Sequence, residues 1–150
     1  MRSNVLVLCV LSFAISSVLA QTAGVTAKNQ AAVEFAQKAA VRALSFNQGD
    51  AESLRRARPD FTPEGWNEFM RQMQGFMDEK GAPAFSSKFA PSGKAVVIRE
   101  EQGLIHFRIP GTLTQTQGTS RTTYSHSEID VKAGGQPVKI EHLEAIYKAR

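Results

Sequence analysis

Cysteine is almost absent from this chain. Its 150 residues contain a single cysteine, Cys9, which lies inside the first apolar segment. The remainder of the chain therefore has no disulfide, no cysteine nucleophile and no thiolate ligand for a metal ion. Tryptophan is equally scarce, with Trp66 as its only representative.

The sequence also lacks an apolar run long enough to cross a bilayer. The longest run, from Val5 to Val18, contains three serines and is shorter than the ~20 residues that a membrane helix needs. A basic residue precedes it, and Val18-Leu19-Ala20 follows as a cleavage signal, which is the pattern of a secretory signal peptide rather than of an anchor. We therefore predict a signal peptide over residues 1–20 and a single exported domain over residues 21–150.

Charge of one sign is not strongly in excess. The chain has 18 Lys and Arg residues against 14 Asp and Glu residues, a net charge of +4 at pH 7. No nucleic-acid-binding motif accompanies this balance, so nucleic acid is not an expected partner. Arg55, Arg56 and Arg58 form a local basic cluster. A solvated helix face explains this cluster as well as a phosphate or lipid-headgroup contact does, and its role stays open.

The first half of the exported part shows helical periodicity. An alanine-rich segment from Ala27 to Phe46 predicts a first long helix with one apolar stripe. Asp50 is suited to cap a short second helix, Ala51 to Ala57, which Pro59 would end. A third helix is predicted from Pro63 to about Lys80, with Gly81 as its stop.

The start of the third helix is specified in unusual detail. Thr62 is suited to be the N-cap, Pro63 falls at the first helical position, and Phe61 and Trp66 occupy the two hydrophobic-staple positions. Apolar residues then recur at helical spacing and predict one buried stripe: Trp66, Phe69, Met70, Met73 and Met77. We interpret the motif as determining the fold rather than as reacting; its residues are Phe61, Thr62, Pro63, Gly65, Trp66 and Phe69.

Beyond residue 83 the period changes to two, which predicts strands. The expected strands are Phe85 to Phe89, Lys94 to Glu100, Leu104 to Gln117, Arg121 to Lys132 and Val138 to Tyr147. Their short connections require antiparallel pairing, and Pro110-Gly111 marks a bend or bulge. The predicted fold class is therefore α+β, with N-terminal helices packed on one face of a curved antiparallel sheet.

A threonine-rich stretch, Thr112 to Thr123, is predicted to form a long polar hairpin. Such a hairpin is commonly exposed to solvent. Alternatively, it forms a strand edge or a sheet face that a partner protein covers, because unpaired backbone groups are ready to bind another strand.

Catalytic and metal-binding patterns are nearly missing. There is no nucleophile elbow, phosphate-binding loop, dinucleotide fingerprint or histidine pair at ligand spacing, so no catalytic residue, metal or cofactor is predicted. Strand alternation brings one set of polar side chains toward a common sheet face: His106, Arg108, Tyr124, His126 and Glu128. This polar-face cluster is interpreted as a solvated sheet face, with an acid/base site or ligand pocket as the alternative.

The arrangement resembles the DotI/IcmL family, inner-membrane components of type IVB secretion and related conjugation machines. The resemblance rests on the aromatic-Thr-x-x-Gly-Trp-x-x-aromatic start of the last helix, matched by Phe61, Thr62, Gly65, Trp66 and Phe69. It implies a cone-shaped, nuclear-transport-factor-two-like fold in the periplasm of a Gram-negative bacterium and no enzymatic activity. Gly65 and Trp66 carry over as fold determinants. Family members retain a membrane helix before this domain, whereas a cleavable signal is predicted here.

Two functional hypotheses follow. The first is a non-catalytic periplasmic protein-interaction module related to a type IV secretion component, which docks on secretion components or on itself through the threonine-rich hairpin or a sheet edge. The alternative is a small-molecule-binding protein or enzyme that uses the cavity between helices and sheet.

Overall fold

The computed structural model describes residues 27–77 and 83–146 of the chain. Three α-helices and a 3-10 turn alternate with one short strand before five further strands: α1 (Ala27–Leu44), β1 (Phe46–Asn47), α2 (Ala51–Arg55), the turn (Arg58–Asp60), α3 (Pro63–Met77), β2 (Phe85–Pro91), β3 (Val96–Glu101), β4 (Leu104–Gln117), β5 (Ser120–Gly134) and β6 (Lys139–Ile146). The predicted signal peptide, the predicted helix end at Lys80 with its stop at Gly81, and the predicted strand end at Tyr147 lie outside the described residues.

The six strands form one antiparallel sheet in the order β1-β2-β4-β5-β6, with β3 also paired to β4. Strand β4 pairs with β5 along its whole length, while β2 and β3 share its other edge, β2 beside residues 111–117 and β3 beside residues 104–108. The sheet curls into a half-barrel around the helices, so the predicted α+β fold is confirmed.

The core lies between the concave face of the sheet and the helices. Helix α1 approaches the sheet through small side chains, and its buried positions are those of the predicted stripe: Ala32, Ala36, Ala39, Ala40, Ala43 and Leu44. The sheet contributes alternate residues of its central strands, among them Phe107, Ile109, Ile129 and Val131, and α3 contributes Phe69 and Met73. Because alanine side chains are small, α1 lies close to the sheet, and the large side chains of the sheet fill the core between them.

Two of the predicted helix ends differ from the structure. Helix α1 ends at Leu44 and Phe46 belongs to β1, whose partner is β2. Phe46 is nevertheless buried, and its ring lies 5.9 Å from that of Phe85. Helix α2 ends at Arg55, whereas its predicted cap is present, since the Asp50 side chain accepts a hydrogen bond from the backbone N–H of Glu52.

A bulge interrupts the β4–β5 ladder where Pro110-Gly111 predicts it. Gly111 pairs with Ser127 and Leu113 with Tyr124, so the register shifts between them and the extra residue lies in β5. The Ser127 hydroxyl is buried and donates to the carbonyl oxygen of Tyr124, 2.9 Å away, across the bulge. The extra residue shifts the alternation of side chains between the two faces of the sheet along β5. Tyr124 therefore shares the core face with Leu113, and Glu128 lies on the opposite face.

Candidate functional site

The N-terminus of α3 has the geometry that its sequence predicts. The Thr62 hydroxyl accepts a hydrogen bond from the backbone N–H of Gly65 at 3.1 Å. The rings of Phe61 and Trp66 meet edge to face with centroids 5.5 Å apart, and Phe61 stacks on Phe69 at 5.3 Å. The capping residue and the staple are therefore both confirmed, and the aromatic side chains of the motif pack on one another.

The same segment covers the outer edge of β6. Phe61 forms a parallel bridge with Ile140, and the backbone N–H of Thr62 donates to the carbonyl oxygen of Ile140 at 2.9 Å. A side chain on Gly65 would place its Cβ 2.6 Å from that same oxygen and 2.9 Å from the carbonyl oxygen of Glu141. Glycine is thus required here by the close approach of α3 to β6, and we call this side of the sheet the covered edge.

Trp66 itself packs against the core at the predicted stripe position, but it is half-buried and part of its side chain stays exposed. Among residues 27–77 and 83–146 it lines a groove of about 370 Å³ together with Leu54, Met70 and two cationic residues, Arg55 and Arg58. Arg55 forms an ion pair with Glu52 at 2.9 Å, and Arg56 forms one with Asp50 at 3.3 Å. The basic cluster therefore lies beside the exposed part of the tryptophan, and two of its arginines pair with acids of their own helix or its cap.

The polar-face cluster is only partly assembled. Arg108 lies on the convex face of the sheet and donates two hydrogen bonds to Asp130, at 2.9 and 3.2 Å. Glu128 joins this pair, with one carboxylate oxygen 3.8 Å from Nε of Arg108. The hydrogen bonds to Asp130 raise the pKa of Arg108 above its ordinary value. Asp130 is therefore the main partner of Arg108, although the cluster predicted from the sequence does not include it.

The bulge separates Tyr124 from the other members of the cluster. Tyr124 packs against the hydrophobic core, whereas His126, two residues further along β5, is exposed. Strict alternation would have placed both on the face of Glu128, and the extra residue in β5 breaks that alternation. The structure therefore does not bring all five residues together in one acid/base site.

His106 lies at the end of the convex face nearest β3. Its Nδ1 accepts a hydrogen bond from Nε of Arg99 at 3.3 Å, and Lys132 is its cross-strand partner. Partial burial, and then the positive charges of Lys132 and Arg99, lower the pKa of His106 below its ordinary value. With Lys132 and Arg99 it lines a small groove of about 200 Å³.

A contact between a histidine and a glutamate joins α3 to the covered edge. His142 on β6 lies 3.2 Å from a carboxylate oxygen of Glu68 on α3 and 3.6 Å from one of Glu144. Despite this proximity, no group of three or more metal-ligating side chains with the geometry of a metal site occurs within residues 27–77 and 83–146. The pair adds a polar contact to the aromatic contacts of the motif.

Two larger grooves flank α1. One, of about 780 Å³, runs between α1 and the segment joining β2 to β3, with Val33, Val41 and Ala95 among its lining residues and Lys38 and Lys94 contributing positive charge. The other, of about 680 Å³, lies between the start of α1 and the β5–β6 connection and includes Phe35. Of the five polar-face residues, His106 alone lines any of the four grooves described for this part of the chain.

Sequence reasoning missed the exposed apolar residues of β3. Val96 is 55% exposed and Ile98 is 50% exposed, and they are the exposed large hydrophobic residues among those described. The sequence signal was the apolar run Ala95-Val96-Val97-Ile98, which is typical of a buried strand. What the sequence does not reveal is that β3 lies at the edge of the sheet.

Of the helices in the described part of the chain, none has both the length and the apolar character required to traverse a bilayer.

No protein-family model matches the sequence, and no curated protein is significantly similar to it. Solved structures do match. The periplasmic domain of DotI aligns with 80% of this chain and 96% of its own length at 15% identity, with a TM-score of 0.65. An IcmL-like type IV secretion system protein from Legionella pneumophila aligns with 81% of this chain and 94% of its own at 9% identity, with a TM-score of 0.65.

A periplasmic fragment of TraM is also similar, aligned with 82% of this chain and all of its own length at 13% identity and a TM-score of 0.54. At such identities the likeness establishes a shared fold. The resemblance that the Phe61 to Phe69 motif indicated is thus confirmed in three dimensions: the chain has the nuclear-transport-factor-two-like fold of the DotI periplasmic domain and of an IcmL-like type IV secretion protein.

Proposed function

We propose that the protein is a non-catalytic interaction module of the periplasm, related to a component of type IV secretion or conjugation systems. The observation that carries this proposal is the fold, which is shared along nearly the full length of the DotI periplasmic domain and of the TraM periplasmic fragment. The predicted signal peptide over residues 1–20 supports export to the same compartment.

The composition of the interior supports binding rather than catalysis. Between helices and sheet the space is filled by large apolar side chains, among them Phe69, Phe107 and Ile109. Arg108 of the polar-face cluster pairs on the convex face with Glu128, another member, and with Asp130, which lies outside the cluster. Catalytic groups usually converge on a concave site that excludes water, and this pairing is instead typical of a structural ion-pair network.

Site-specific photocrosslinking in the periplasm of the native host tests the proposal. A photoreactive residue is placed at Thr119 or at Arg121, both exposed at the tip of the threonine-rich hairpin, and the crosslinked proteins are identified by mass spectrometry. Reproducible crosslinks to proteins of a secretion or conjugation apparatus are expected. The matched control carries the photoreactive residue at Glu64, on the first turn of α3. Equal crosslinking from all three positions, or none from any, would contradict the proposal.

A small-molecule-binding role is the second candidate, and one observation favours it. The groove between α1 and the β2–β3 segment has a volume of about 780 Å³, within the ~300–1,000 Å³ typical of ligand pockets. Its surface is mostly apolar, and three cations, Lys38, Arg42 and Lys94, outnumber the one acid, Glu34, which suits an amphipathic anion. A shift in the melting temperature on adding a medium-chain fatty acid, lost in a Val41→Asp variant, would support it, and no shift would dismiss this ligand class.

A further inference from the structure

Strand β3 is an edge strand that is protected only in part, because its charged residues, Arg99, Glu100 and Glu101, all lie in its second half. Within residues 27–77 and 83–146 it pairs with β4 alone, and its opposite side carries no strand. Natural proteins commonly place charges, prolines or a covering segment on such edges because the unpaired backbone groups bind other strands. Here the first half of the strand carries Val96 and Ile98, both about half exposed.

The charges of this segment are arranged with opposite signs at its two ends. Lys94 precedes the strand, and Glu100 and Glu101 end it; all three are exposed. Arg99 lies beside the acidic pair, with its Nε 3.6 Å from a carboxylate oxygen of Glu101, so this end keeps a net charge of one negative unit. Two copies of such a segment complement each other only in the antiparallel orientation, because the lysine of each then lies near the acidic pair of the other. A parallel arrangement would place like charges side by side, which is unfavourable.

We propose that β3 is a self-association edge, on which a second copy of this chain pairs its own β3 antiparallel about a two-fold axis near Val97. Such an interface is isologous, so every contact occurs twice. Val96 and Ile98 of both copies meet close to the axis, and Lys94 of each copy lies near Glu100 and Glu101 of the second copy. This inference rests on the proposed interaction role and specifies one form of it, docking of the chain on itself through a sheet edge, which requires no secretion component.

The neighbouring groove enlarges the contact. Lys94 and Ala95, which lead into β3, also line the groove of about 780 Å³ beside α1, so a second copy lying along the strand reaches its apolar lining. The bulge between Val97 and Arg99 limits the backbone ladder to a few residues. An interface of this size is at the lower end of specific interfaces, and we expect a dissociation constant on the order of tens of micromolar.

Charge reversal with mixing tests this arrangement in the purified exported chain. Lys94→Glu puts acid against acid, and the double variant Glu100→Lys with Glu101→Lys puts base against base. Each variant alone is expected to raise the dissociation constant, measured by sedimentation velocity, about tenfold. An equimolar mixture of the two restores the affinity. In the mixed dimer, the acid introduced at position 94 of one copy meets the bases introduced at positions 100 and 101 of the other, and the second contact keeps its native charges.

Ile98→Lys provides an independent test of the apolar centre and is expected to give a monomer. Circular dichroism and melting temperatures of all variants, measured at about 1 μM so that the parent is also monomeric, must match those of the parent, which separates lost association from lost folding. Matched surface charge reversals at Lys88 on β2 and Glu141 on β6, both exposed and away from β3, should leave the dissociation constant unchanged. A parent chain that is monomeric up to about 500 μM, well above the expected constant, would overturn the proposal. So would a dimer that tolerates Ile98→Lys, or a mixture that stays as weak as its components.

Discussion

Two edge strands of the sheet, β6 and β3, differ in what lies along their outer sides. At the covered edge, Thr62 and Phe61 add a backbone hydrogen bond and a bridge to Ile140, and α3 packs against β6 through the aromatic side chains of the motif. At the open edge, β3 presents Val96 and Ile98 to solvent. One edge is thus closed by a local segment of the same chain, and the other is left able to accept a strand.

This difference suggests separate roles for the two edge strands: the β6 edge contributes to the stability of the fold, and the β3 edge is available for binding. The motif from Phe61 to Phe69 closes the β6 edge, so we expect its residues to affect folding and to leave association unchanged. The residues of β3 should do the reverse. Substitutions matched across the two edges can therefore separate the two roles, because a side chain in the core contributes to unfolding free energy and an exposed one contributes little.

Phe69→Ala is expected to have the largest effect. Phe69 is 1% exposed and contacts Phe61 and Trp66, so truncation should cost about 3–5 kcal/mol of unfolding free energy, as for other buried aromatic residues. Urea denaturation followed by circular dichroism measures it. The matched variant at the open edge, Ile98→Ala, should change the same quantity by less than about 0.5 kcal/mol. Similar costs at the two positions would remove the contrast between the edges.

Gly65→Ala tests the close approach at the covered edge. The new methyl group would lie 2.6 Å from a backbone oxygen of β6, and since backbone cannot move aside cheaply, we expect a loss of about 2–3 kcal/mol. Gly75→Ala is the control in the same helix, because a Cβ there meets nothing within 4 Å. It should stabilise the protein by about 0.5–1 kcal/mol through helix propensity. A neutral Gly65→Ala variant would show that α3 and β6 are not held this close.

Much of this architecture could be predicted from the sequence because local rules determine it. The bounds of β4, the caps at Asp50 and Thr62 and the alanine stripe of α1 all depend on neighbours a few residues away. Tyr124 is a position that local rules do not predict. Its sheet face depends on one extra residue in β5, and the sequence pattern of β5 shows no interruption at that point. The exposure of Val96 and Ile98 depends on where β3 lies in the sheet, which no property of the strand itself encodes.

The candidate site divides in the same way. The motif around Trp66 could be found because capping and staple positions have fixed spacings. The pairing of Arg108 with Asp130 depends on register between β4 and β5, and a shift of one residue would have placed a different side chain opposite the arginine. Sequence reasoning accordingly found the elements that carry the polar residues but chose a partially wrong set of neighbours.

Thr62→Ala should have an intermediate effect at the covered edge. It removes the hydroxyl that accepts from the backbone N–H of Gly65 at 3.1 Å, so we expect a loss of about 1 kcal/mol in unfolding free energy. Thr62→Ser keeps the hydroxyl and should recover most of that loss. Because the backbone N–H of Thr62 still binds Ile140 in both variants, a loss far above that of a cap, shared by the serine variant, would mean that the residue acts through side-chain packing instead.

The smallest expected effect lies next to the open edge and depends on pH. Partial burial, then Lys132 and Arg99, lower the pKa of His106, while Asp130 and Glu101 act in the opposite direction. The unfolded chain therefore takes up this proton first as the pH falls, and stability declines from about pH 7 downward. His106→Gln should lose less stability than the parent between about pH 7 and pH 5 in denaturation experiments.

Arg99→Gln sharpens this last comparison because it leaves His106 in place. Arg99 is the β3 residue whose Nε donates to Nδ1 of His106 at 3.3 Å. Removing its charge takes away one cause of the lowered pKa and leaves the effects of burial and of Lys132, so the pH-dependent loss should shrink without disappearing. A pH profile unchanged in both variants would mean that the convex face near β3 does not respond to protonation of His106, and that the acid sensitivity of the protein originates elsewhere.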